Sequence, residues 1–139
     1  MKSALDSSFL VSALCAADPD HIACRRVLAT GDHSIFAHCL AETFSTLTGG
    51  RLGFRVPAVE ATNLIRRQIA PKLRIVSLEA DDLLNAFEEA DSRGVRGGAV
   101  YDYLHLVAAR KAGAKRLFTL NLGDFLSFHR PGDPEIFAP

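Results

Sequence analysis

Apolar residues along the chain form two kinds of pattern, short continuous runs and helical repeats. The short runs indicate β-strands, because they extend over only a few residues between turn-forming segments. We predict strands at Lys2–Leu5, Ser34–Ala37, Leu73–Leu78, Arg116–Thr119 and Glu135–Phe137. The longer segments carry apolar residues three and four positions apart, which is typical of a helix with one buried face. We predict helices from Ser7 to Leu14, Pro19 to Leu28, His38 to Leu47, Pro57 to just before Pro71, Ala80 to Ala90 and Ala99 to Ala112, with a turn or short helix at Asn121–Phe125.

The predicted helices begin and end at residues that favour such positions. Ser7 or Ser8 can cap the first helix through its hydroxyl, and Pro19 fits an early position of the second. The pair Gly49-Gly50 ends the third helix, because glycine readily adopts the conformation that follows a helix. Pro71 is expected to end the fourth, since the residue before a proline avoids the helical region.

Strands that alternate with helices along the whole chain predict an α/β fold. Crossovers of this kind make neighbouring strands parallel and place helices against the sheet. No repeat, low-complexity segment or long linker divides the 139 residues, which is a common length for one domain. We therefore expect a single domain, residues 1–139, built as a three-layer α/β/α sandwich around a central parallel sheet.

Composition narrows the classes of function. The chain has 16 basic and 16 acidic residues and a formal net charge of zero. This balance argues against a protein that holds long nucleic acids by charge alone, although a metal ion can supply the positive charge that phosphates need. Met1–Val11 contains no apolar run long enough for a signal peptide or a membrane helix. We therefore expect a cytosolic protein with no membrane partner.

Cysteines and histidines give no sign of a disulfide or a zinc site. Cys15, Cys24 and Cys39 are odd in number and form no CxxC pair, so we expect buried, reduced thiols. The five histidines form no HxH or HxxxH pair, and we expect no zinc. His105 follows Asp102 by three positions on one helix face, and packing or hydrogen bonding is its expected role.

Four acidic residues stand where a parallel sheet gathers its ligands. Asp6 closes the first strand, and Glu42 lies one turn into the helix after the second. Asp102 lies near the start of the helix before the fourth strand, and Asp124 follows that strand. Ligands of such sheets bind beyond the carboxyl ends of the strands, where the strand order reverses. The architecture can therefore bring all four acids together.

Three of these acids, Asp6, Glu42 and Asp102, sit among apolar neighbours. Carboxylates are rarely buried without a partner, and like charges that approach one another raise each other's pKa. A divalent cation removes both problems, and Mg²⁺ and Mn²⁺ favour oxygen ligands. The chemistry that follows is phosphodiester hydrolysis, in which the metal activates water and stabilises the leaving oxygen.

Each acid taken alone has a plainer interpretation as a helix cap or a solvated charge. Asp6 fits it least, because a carboxylate that ends an apolar strand has little structural purpose, and Asp124 fits it best, in an exposed turn.

Other protein classes with an acidic pocket fit the sequence less well. A receiver domain needs paired acids near its first strand, and here Ala4 and Leu5 precede Asp6. A haloacid-dehalogenase-type phosphatase needs an aspartate where Ser8 stands. Neither a glycine-rich first turn nor a Gly-x-Ser-x-Gly element is present, which excludes dinucleotide-binding domains and typical serine hydrolases.

Four segments share their order and spacing with one known family. Leu5–Val11 is similar to a first-strand motif in which Asp precedes a small hydroxyl residue and an apolar helix. Ala41–Phe44 resembles the second-acid helix, Gly97–Leu104 the third-acid segment and Thr119–Phe125 the closing motif. Together they resemble PIN-domain ribonucleases, and within them the VapC-type toxins of bacterial toxin–antitoxin pairs. Each motif alone is weak, but the set covers nearly the whole chain.

The resemblance implies a PIN-like fold and a metal-dependent endoribonuclease that cuts RNA with bound Mg²⁺ or Mn²⁺. It further implies the toxin of a type II toxin–antitoxin pair, with a cognate antitoxin as protein partner and a homodimer as the assembly. The alternative is a PIN-like domain that no longer cuts and only binds RNA or a protein. Acids at three expected places argue against that alternative.

The resemblance carries the metal-binding and catalytic roles over to four acids, which are Asp6, Glu42, Asp102 and Asp124. The fourth position is open, because Asn121 stands where many relatives have Asp and Asp124 is the nearby carboxylate. The hydroxyls of Ser7 and Thr119 are expected to orient acids or waters. Ser7 suits a helix cap equally well.

Basic residues and apolar helices indicate where partners bind. Arg93 and Arg96, beside a glycine-rich loop, are candidates for holding RNA phosphates or an acidic segment of the antitoxin. The plainer interpretation is a solvated loop. Apolar helices near Asp6 and Glu42 can form a groove for an amphipathic helix of the antitoxin.

Overall fold

Five short parallel strands form one sheet at the centre of the protein. The computed structural model describes all residues, 1–139. The strands are β1 (Lys2–Leu5), β2 (Asp32–Phe36), β3 (Arg74–Val76), β4 (Arg116–Phe118) and β5 (Glu135–Phe137). Every neighbouring pair is parallel, and the order across the sheet is β3-β2-β1-β4-β5. The strand order therefore reverses between β1 and β4, which is where ligands of such sheets bind.

Seven α-helices connect or follow the strands. They are α1 (Ser7–Leu14), α2 (His21–Ala29), α3 (His38–Thr48), α4 (Ala58–Leu64), α5 (Ala80–Ala90), α6 (Ala99–Lys111) and α7 (Leu122–Phe128). A π-helical segment, Ile65–Ile69, and a 3₁₀ turn, Ala70–Lys72, follow α4 directly, and a second 3₁₀ turn, Asp91–Arg93, follows α5.

Helices cover both faces of the sheet. In the pair β1 and β4, Ala4 lies opposite Leu117 and Leu5 lies opposite Phe118, and successive side chains of a strand point to opposite faces. Ala4 and Leu117 pack in one buried cluster with residues of α5, α6 and α7. Leu5 and Phe118 pack in a second cluster with residues of α1, α2 and α3. The predicted three-layer α/β/α sandwich with a parallel sheet is therefore confirmed.

Two predictions about prolines at helix ends were wrong. Pro19 lies in the turn before α2, which begins only at His21. The helical segment does not end before Pro71. Instead, Pro71 lies within the 3₁₀ turn that extends α4. It occupies the first turn of that segment, where its missing N–H is not needed as a donor. The end predicted for α3 is confirmed, with Gly50 in the left-handed region at φ +83°.

An ion network, defined here as Glu89, Arg93, Tyr103, Arg110 and Asp133, ties α5 and α6 to the C-terminal segment. Arg93 forms an ion pair with Asp133, and the Arg110 guanidinium lies 3.6 Å from the same carboxylate. Arg110 also binds Glu89 at 2.9 Å, and the Tyr103 hydroxyl donates to Glu89 at 2.5 Å. The Arg93 side chain is 14% exposed. The role predicted for Arg93, holding RNA phosphates or a partner's acidic segment, is therefore corrected to a structural one.

The remaining general predictions concern thiols and membranes. All three cysteines are unpaired; Cys24 and Cys39 are buried as expected, whereas Cys15 is only half-buried. Arg96 is an exposed loop residue and is therefore accessible to a partner. Each helix is too short or too polar to cross a lipid bilayer.

Candidate active site

Asp6 lies where β1 passes into α1 and is the most buried of the four predicted acids, at 2% exposure. Its carboxylate caps α1 by accepting from the Phe9 amide at 3.0 Å, so the cap predicted at Ser7 or Ser8 was wrong. Hydroxyls of Thr119 and Ser8 donate to it at 2.6 and 2.7 Å. Burial raises the pKa of Asp6, and these hydrogen bonds only partly oppose the rise.

The two hydroxyls that hold Asp6 also position the segment after β4. The Thr119 hydroxyl accepts from the Asn121 amide at 2.9 Å, and the Ser8 hydroxyl accepts from the Leu120 amide at 3.1 Å. The expectation that Thr119 orients an acid agrees with this geometry. Sequence reasoning considered Ser8 only as a helix cap and missed its hydrogen bond to Asp6. Ser7 lines the neighbouring pocket instead.

Glu42 is held by a buried histidine from α6. The Glu42 side chain is 27% exposed, and its Oε1 lies 2.7 Å from Nε2 of His105, whose side chain is 2% exposed. Because a carboxylate only accepts, this ring nitrogen carries the proton. The other ring nitrogen lies 3.8 Å from Cys39 Sγ, and Phe36 packs edge-on against the ring at 5.7 Å. The expected role of His105, packing and hydrogen bonding, is confirmed.

Asp102 shows that the four acids lie close together. It is half-buried in the first turn of α6. The pKa of Asp102 is raised to about 6, chiefly by burial; His105 opposes the rise, and the negative charges of Asp6, Asp124 and Glu42 add to it. Since all three carboxylates act on Asp102, the fold gathers the acids that the sequence spreads over separate elements. The architecture predicted this gathering from strand ends alone.

The fourth acidic position is divided between two residues. Asp124 is exposed in the first turn of α7, and Asn121 is the residue just before that helix. Asn121 lines the pocket beside Asp102, whereas Asp124 contributes its charge without lining it. The pocket wall at this point therefore carries the uncharged amide of Asn121, and the nearby negative charge is that of Asp124.

An open pocket of about 500 Å³ is lined by two of the acids, Glu42 and Asp102, and most of its walls are polar. Its lining residues are Ser7, His38, Ala41, Glu42, Ser45, Thr46, Arg51, Asp102 and Asn121. Sequence reasoning missed His38, Ser45 and Arg51. His38 and Ser45 lie four residues before and three after Glu42, so helical spacing could have identified them. Arg51 belongs to the loop after α3 and gave no local signal.

The donor set suits a hard divalent cation. None of the four acids forms an ion pair with lysine or arginine; the one ion pair among them joins Glu42 to His105. Asp6 accepts three hydrogen bonds from uncharged groups. Carboxylates with so little positive charge around them match the preference of Mg²⁺ and Mn²⁺ for oxygen ligands.

Cys39, Glu42 and His105 are the one group of three such side chains whose potential metal-binding atoms all lie within 4.8 Å of one another. The imidazole of His105 lies between the other two side chains and turns a different nitrogen to each. Because no single ring nitrogen faces both neighbours, the three side chains form a hydrogen-bonded chain that positions Glu42. The histidine therefore supports the acidic site.

Comparisons with known proteins agree with this fold. The chain is 29% identical over 112 residues to Ribonuclease VapC27 of Mycobacterium tuberculosis. This match covers 81% of this chain and 80% of that protein. The fold is similar to that of M. tuberculosis VapC20, a Sarcin-Ricin loop cleaving toxin, with a TM-score of 0.71 and 21% identity over 95% of this chain and 99% of that one. It is also similar to a toxin-antitoxin complex from Klebsiella pneumoniae, with a TM-score of 0.62 and 15% identity over 99% and 97% of the two chains.

The family assignment follows from a match along most of the chain. The PIN domain family matches residues 4–127, a range that contains all four acids, the second half of β1 and the whole of β2, β3 and β4. The family resemblance of the four sequence motifs is thereby confirmed, and the chain belongs to the PIN-domain family.

Proposed function

We propose that the protein is a metal-dependent endoribonuclease and the toxin of a type II toxin–antitoxin pair. The observation that carries the proposal is the gathering of Asp6, Glu42 and Asp124 around Asp102 without a lysine or arginine partner. A site with this charge binds a polyanion such as RNA only when a cation balances it. Relatives named as a ribonuclease and as an RNA-loop-cleaving toxin support the same function.

Asp6, Glu42 and Asp102 would hold Mg²⁺ or Mn²⁺, with Asp124 acting from the rim. A divalent cation held there would provide the means to activate water and to stabilise charge on the leaving oxygen. The protein's own groups fix the geometry: Thr119 and Ser8 hold the Asp6 carboxylate, and His105 holds that of Glu42. Such supporting contacts keep ligands in a productive arrangement.

Arg51 is placed to contact the RNA backbone. It is exposed, forms no ion pair and lines the pocket together with Glu42 and Asp102. A guanidinium can bind a phosphate through two parallel hydrogen bonds, which makes it suited to positioning a nucleic acid strand. Arg51 therefore takes the role that the sequence had suggested for Arg93.

An antitoxin would bind at the apolar groove beside α3. The groove has a volume of about 250 Å³ and is lined mainly by apolar side chains, which include Leu40 and Phe44 of α3 and Ile65 after α4. Apolar positions of an amphipathic helix can occupy such a groove. The toxin–antitoxin complex among the structural relatives supports a protein partner. We also propose the homodimer, which sedimentation of the purified protein would test.

The decisive experiment is RNA cleavage by the purified protein in Mg²⁺, in Mn²⁺ and in EDTA. We expect internal cuts with either metal, none in EDTA, and none with the Asp102→Asn variant. Glu88→Gln serves as the control, because Glu88 is an exposed acid of α5 that makes no ion pair. Cleavage by Asp102→Asn at the rate of the control would overturn the proposed site. Metal-dependent RNA binding without any cleavage would instead indicate the inactive PIN-like domain.

The toxin role has its own test in cells. Expression of the protein alone should stop growth, and co-expression of the protein encoded beside it should restore growth. The Asp102→Asn variant should be harmless. Unimpaired growth with a catalytically competent protein would remove the toxin role and leave the nuclease.

A further inference from the structure

A column of aromatic rings runs from the core to the rim of the active-site pocket. Tyr101 of α6 stacks on His38 of α3, with ring centroids 6.0 Å apart and planes inclined by 19°. His38 in turn contacts Phe36 at 6.0 Å, and Phe36 contacts the buried ring of His105 at 5.7 Å. The inner end of this aromatic column is therefore fixed by the core, and its outer end is Tyr101.

Tyr101, the outer ring of the column, is largely exposed to solvent. Tyr101 is 55% exposed, although His38 covers one of its faces. Tyr101 directly precedes Asp102 on α6, and His38 lines the pocket one turn before Glu42 on α3. The stacked pair thus bridges the two helices that supply two of the acids. An apolar ring surface kept in solvent beside a polar pocket is suited to a ligand that combines a flat ring with charge.

We infer that the stacked pair Tyr101 and His38 is a platform for an unpaired RNA base next to the phosphodiester bond that is cut. This inference rests on the proposed nuclease function and adds to it a contact surface for one unpaired base of the substrate. Unpaired bases are recognised by stacking on aromatic rings, whereas paired bases in a duplex keep their faces covered. Arg51, in the loop after α3, would hold the adjoining backbone.

The charge of the protein gives stacking a particular importance. The formal net charge is zero, and the pocket gathers carboxylates that repel phosphates. Little affinity for RNA can therefore come from charge alone. Stacking on an aromatic ring contributes affinity without regard to charge, and its removal weakens binding about 5- to 150-fold per base.

The test is a binding measurement with single-stranded RNA. A fluorescein-labelled oligoribonucleotide of mixed sequence is titrated in Mg²⁺ with proteins that all carry Asp102→Asn, and gels confirm that the RNA stays intact. The variants are Tyr101→Ala, Tyr101→Leu and Tyr101→Phe. Phe87→Ala is the matched control, since Phe87 is 49% exposed on α5, which supplies no residue to the pocket. Thermal unfolding confirms that each variant is folded.

We expect the Kd to rise at least about fivefold in Tyr101→Ala and Tyr101→Leu, and to stay unchanged in Tyr101→Phe and Phe87→Ala. A series of oligonucleotides with one abasic nucleotide at each position should contain a position at which affinity falls for the parent protein and not for Tyr101→Ala. That non-additivity identifies a direct contact between ring and base. A fully paired duplex should bind equally weakly to the parent and to Tyr101→Ala.

Equal affinity of the parent and Tyr101→Ala for the single strand would overturn the platform and leave the exposed ring as a contact for a protein partner. A loss in Tyr101→Ala that persists at every abasic position would also overturn it, because the effect would then not require a base. The binding assay measures affinity for RNA in proteins that carry Asp102→Asn, so its result does not depend on cleavage. Failure of the cleavage assay would therefore count against the proposed nuclease, and failure of this binding assay against the platform.

Discussion

Two groups of carboxylates in this protein differ in what surrounds them. In the ion network, burial alone would raise the pKa of Asp133, but hydrogen bonds from Arg93 and the Arg130 amide and the charges of Arg93 and Arg110 lower it. In the acidic site, burial and, to a smaller extent, the neighbouring carboxylates raise the pKa of Asp102 to about 6. The first group carries its own cations, and the second carries only a histidine.

The difference is the one expected between a structural site and the functional site that we propose. Asp133 lies with its side chain only 4% exposed, and its arginines stabilise the charged form in the folded protein. Asp6 and Asp102 have raised pKa values, which means that the fold alone does not favour their charged forms. Protein sites that destabilise their own charges are frequently those that meet a ligand. The comparison predicts that neutralising one group affects cleavage and neutralising the other affects stability.

The largest expected effect is on cleavage by the acidic site. Asp102→Asn should lower kcat/KM for RNA by at least about 10³-fold, because metal-based stabilisation of a transition state amounts to several kcal/mol. Its free energy of unfolding without metal should be equal to or above that of the wild type, since one repelling charge is gone. Urea unfolding together with single-turnover cleavage checks both. A variant that loses both activity and stability would contradict the separation.

The ion network should give the opposite result. Asp133→Ala should lower the free energy of unfolding by about 3 kcal/mol, because it leaves two guanidinium groups without their shared partner. Cleavage per folded molecule should stay unchanged. Glu88→Ala, at an exposed site without an ion pair, should change stability by less than about 0.5 kcal/mol. Equal stability of the two variants would show that the network is not structural.

The two groups should also respond oppositely to pH in EDTA. The pKa of Asp102 is about 6 in the folded protein against 3.8 in the unfolded chain, so its stabilising contribution is complete below 3.8 and lost as the pH rises through 6. The pKa values of Asp133 and Glu89 lie below 3.8 and 4.5, so their contributions are lost as the pH falls below those values. In Asp102→Asn, the free energy of unfolding should therefore fall less as the pH rises towards 6. Urea unfolding at each pH measures this. An unchanged pH profile in this variant would contradict the raised pKa.

The smallest expected effect concerns Arg51 at the pocket wall. Arg51→Ala should raise KM for RNA about tenfold, equivalent to the loss of one phosphate contact, with kcat nearly unchanged. Arg51→Lys should recover part of the affinity, because it restores the charge without the two parallel hydrogen bonds. Arg96→Ala, in an exposed loop outside the pocket, is the control. An equal effect of Arg96→Ala would assign RNA binding to overall charge.

The fold and the acids could be predicted from the sequence because both depend on local patterns. Apolar runs and helical repeats gave the order of the elements, and the ends of parallel strands then placed Asp6 and Asp124 at one edge. Glu42 and Asp102 followed from helices attached to that edge. The helix starts were less certain, because Ser8 and Asp6 are both good caps and only the structure shows that Asp6 accepts the Phe9 amide.

Long-range partners could not be predicted in the same way. Arg93 looked available from its loop, but its partner Asp133 lies 40 residues later and no local pattern joins them. The stacked pair Tyr101 and His38 likewise depends on how α3 and α6 pack at the sheet. Such contacts are set by the packing of whole elements, and sequence spacing within one element carries no information about them.

Mn²⁺ binding tests the central claim most directly, because the account requires the acidic site to bind a divalent cation that balances its carboxylates. Mn²⁺ is titrated into the metal-free wild type, Asp102→Asn and Glu88→Gln, and bound ion is measured by electron paramagnetic resonance. We predict saturable binding with the same Kd in the wild type and Glu88→Gln, and a Kd at least about tenfold higher in Asp102→Asn. Equal Kd values in all three proteins, or no saturable binding to the wild type, would contradict the account.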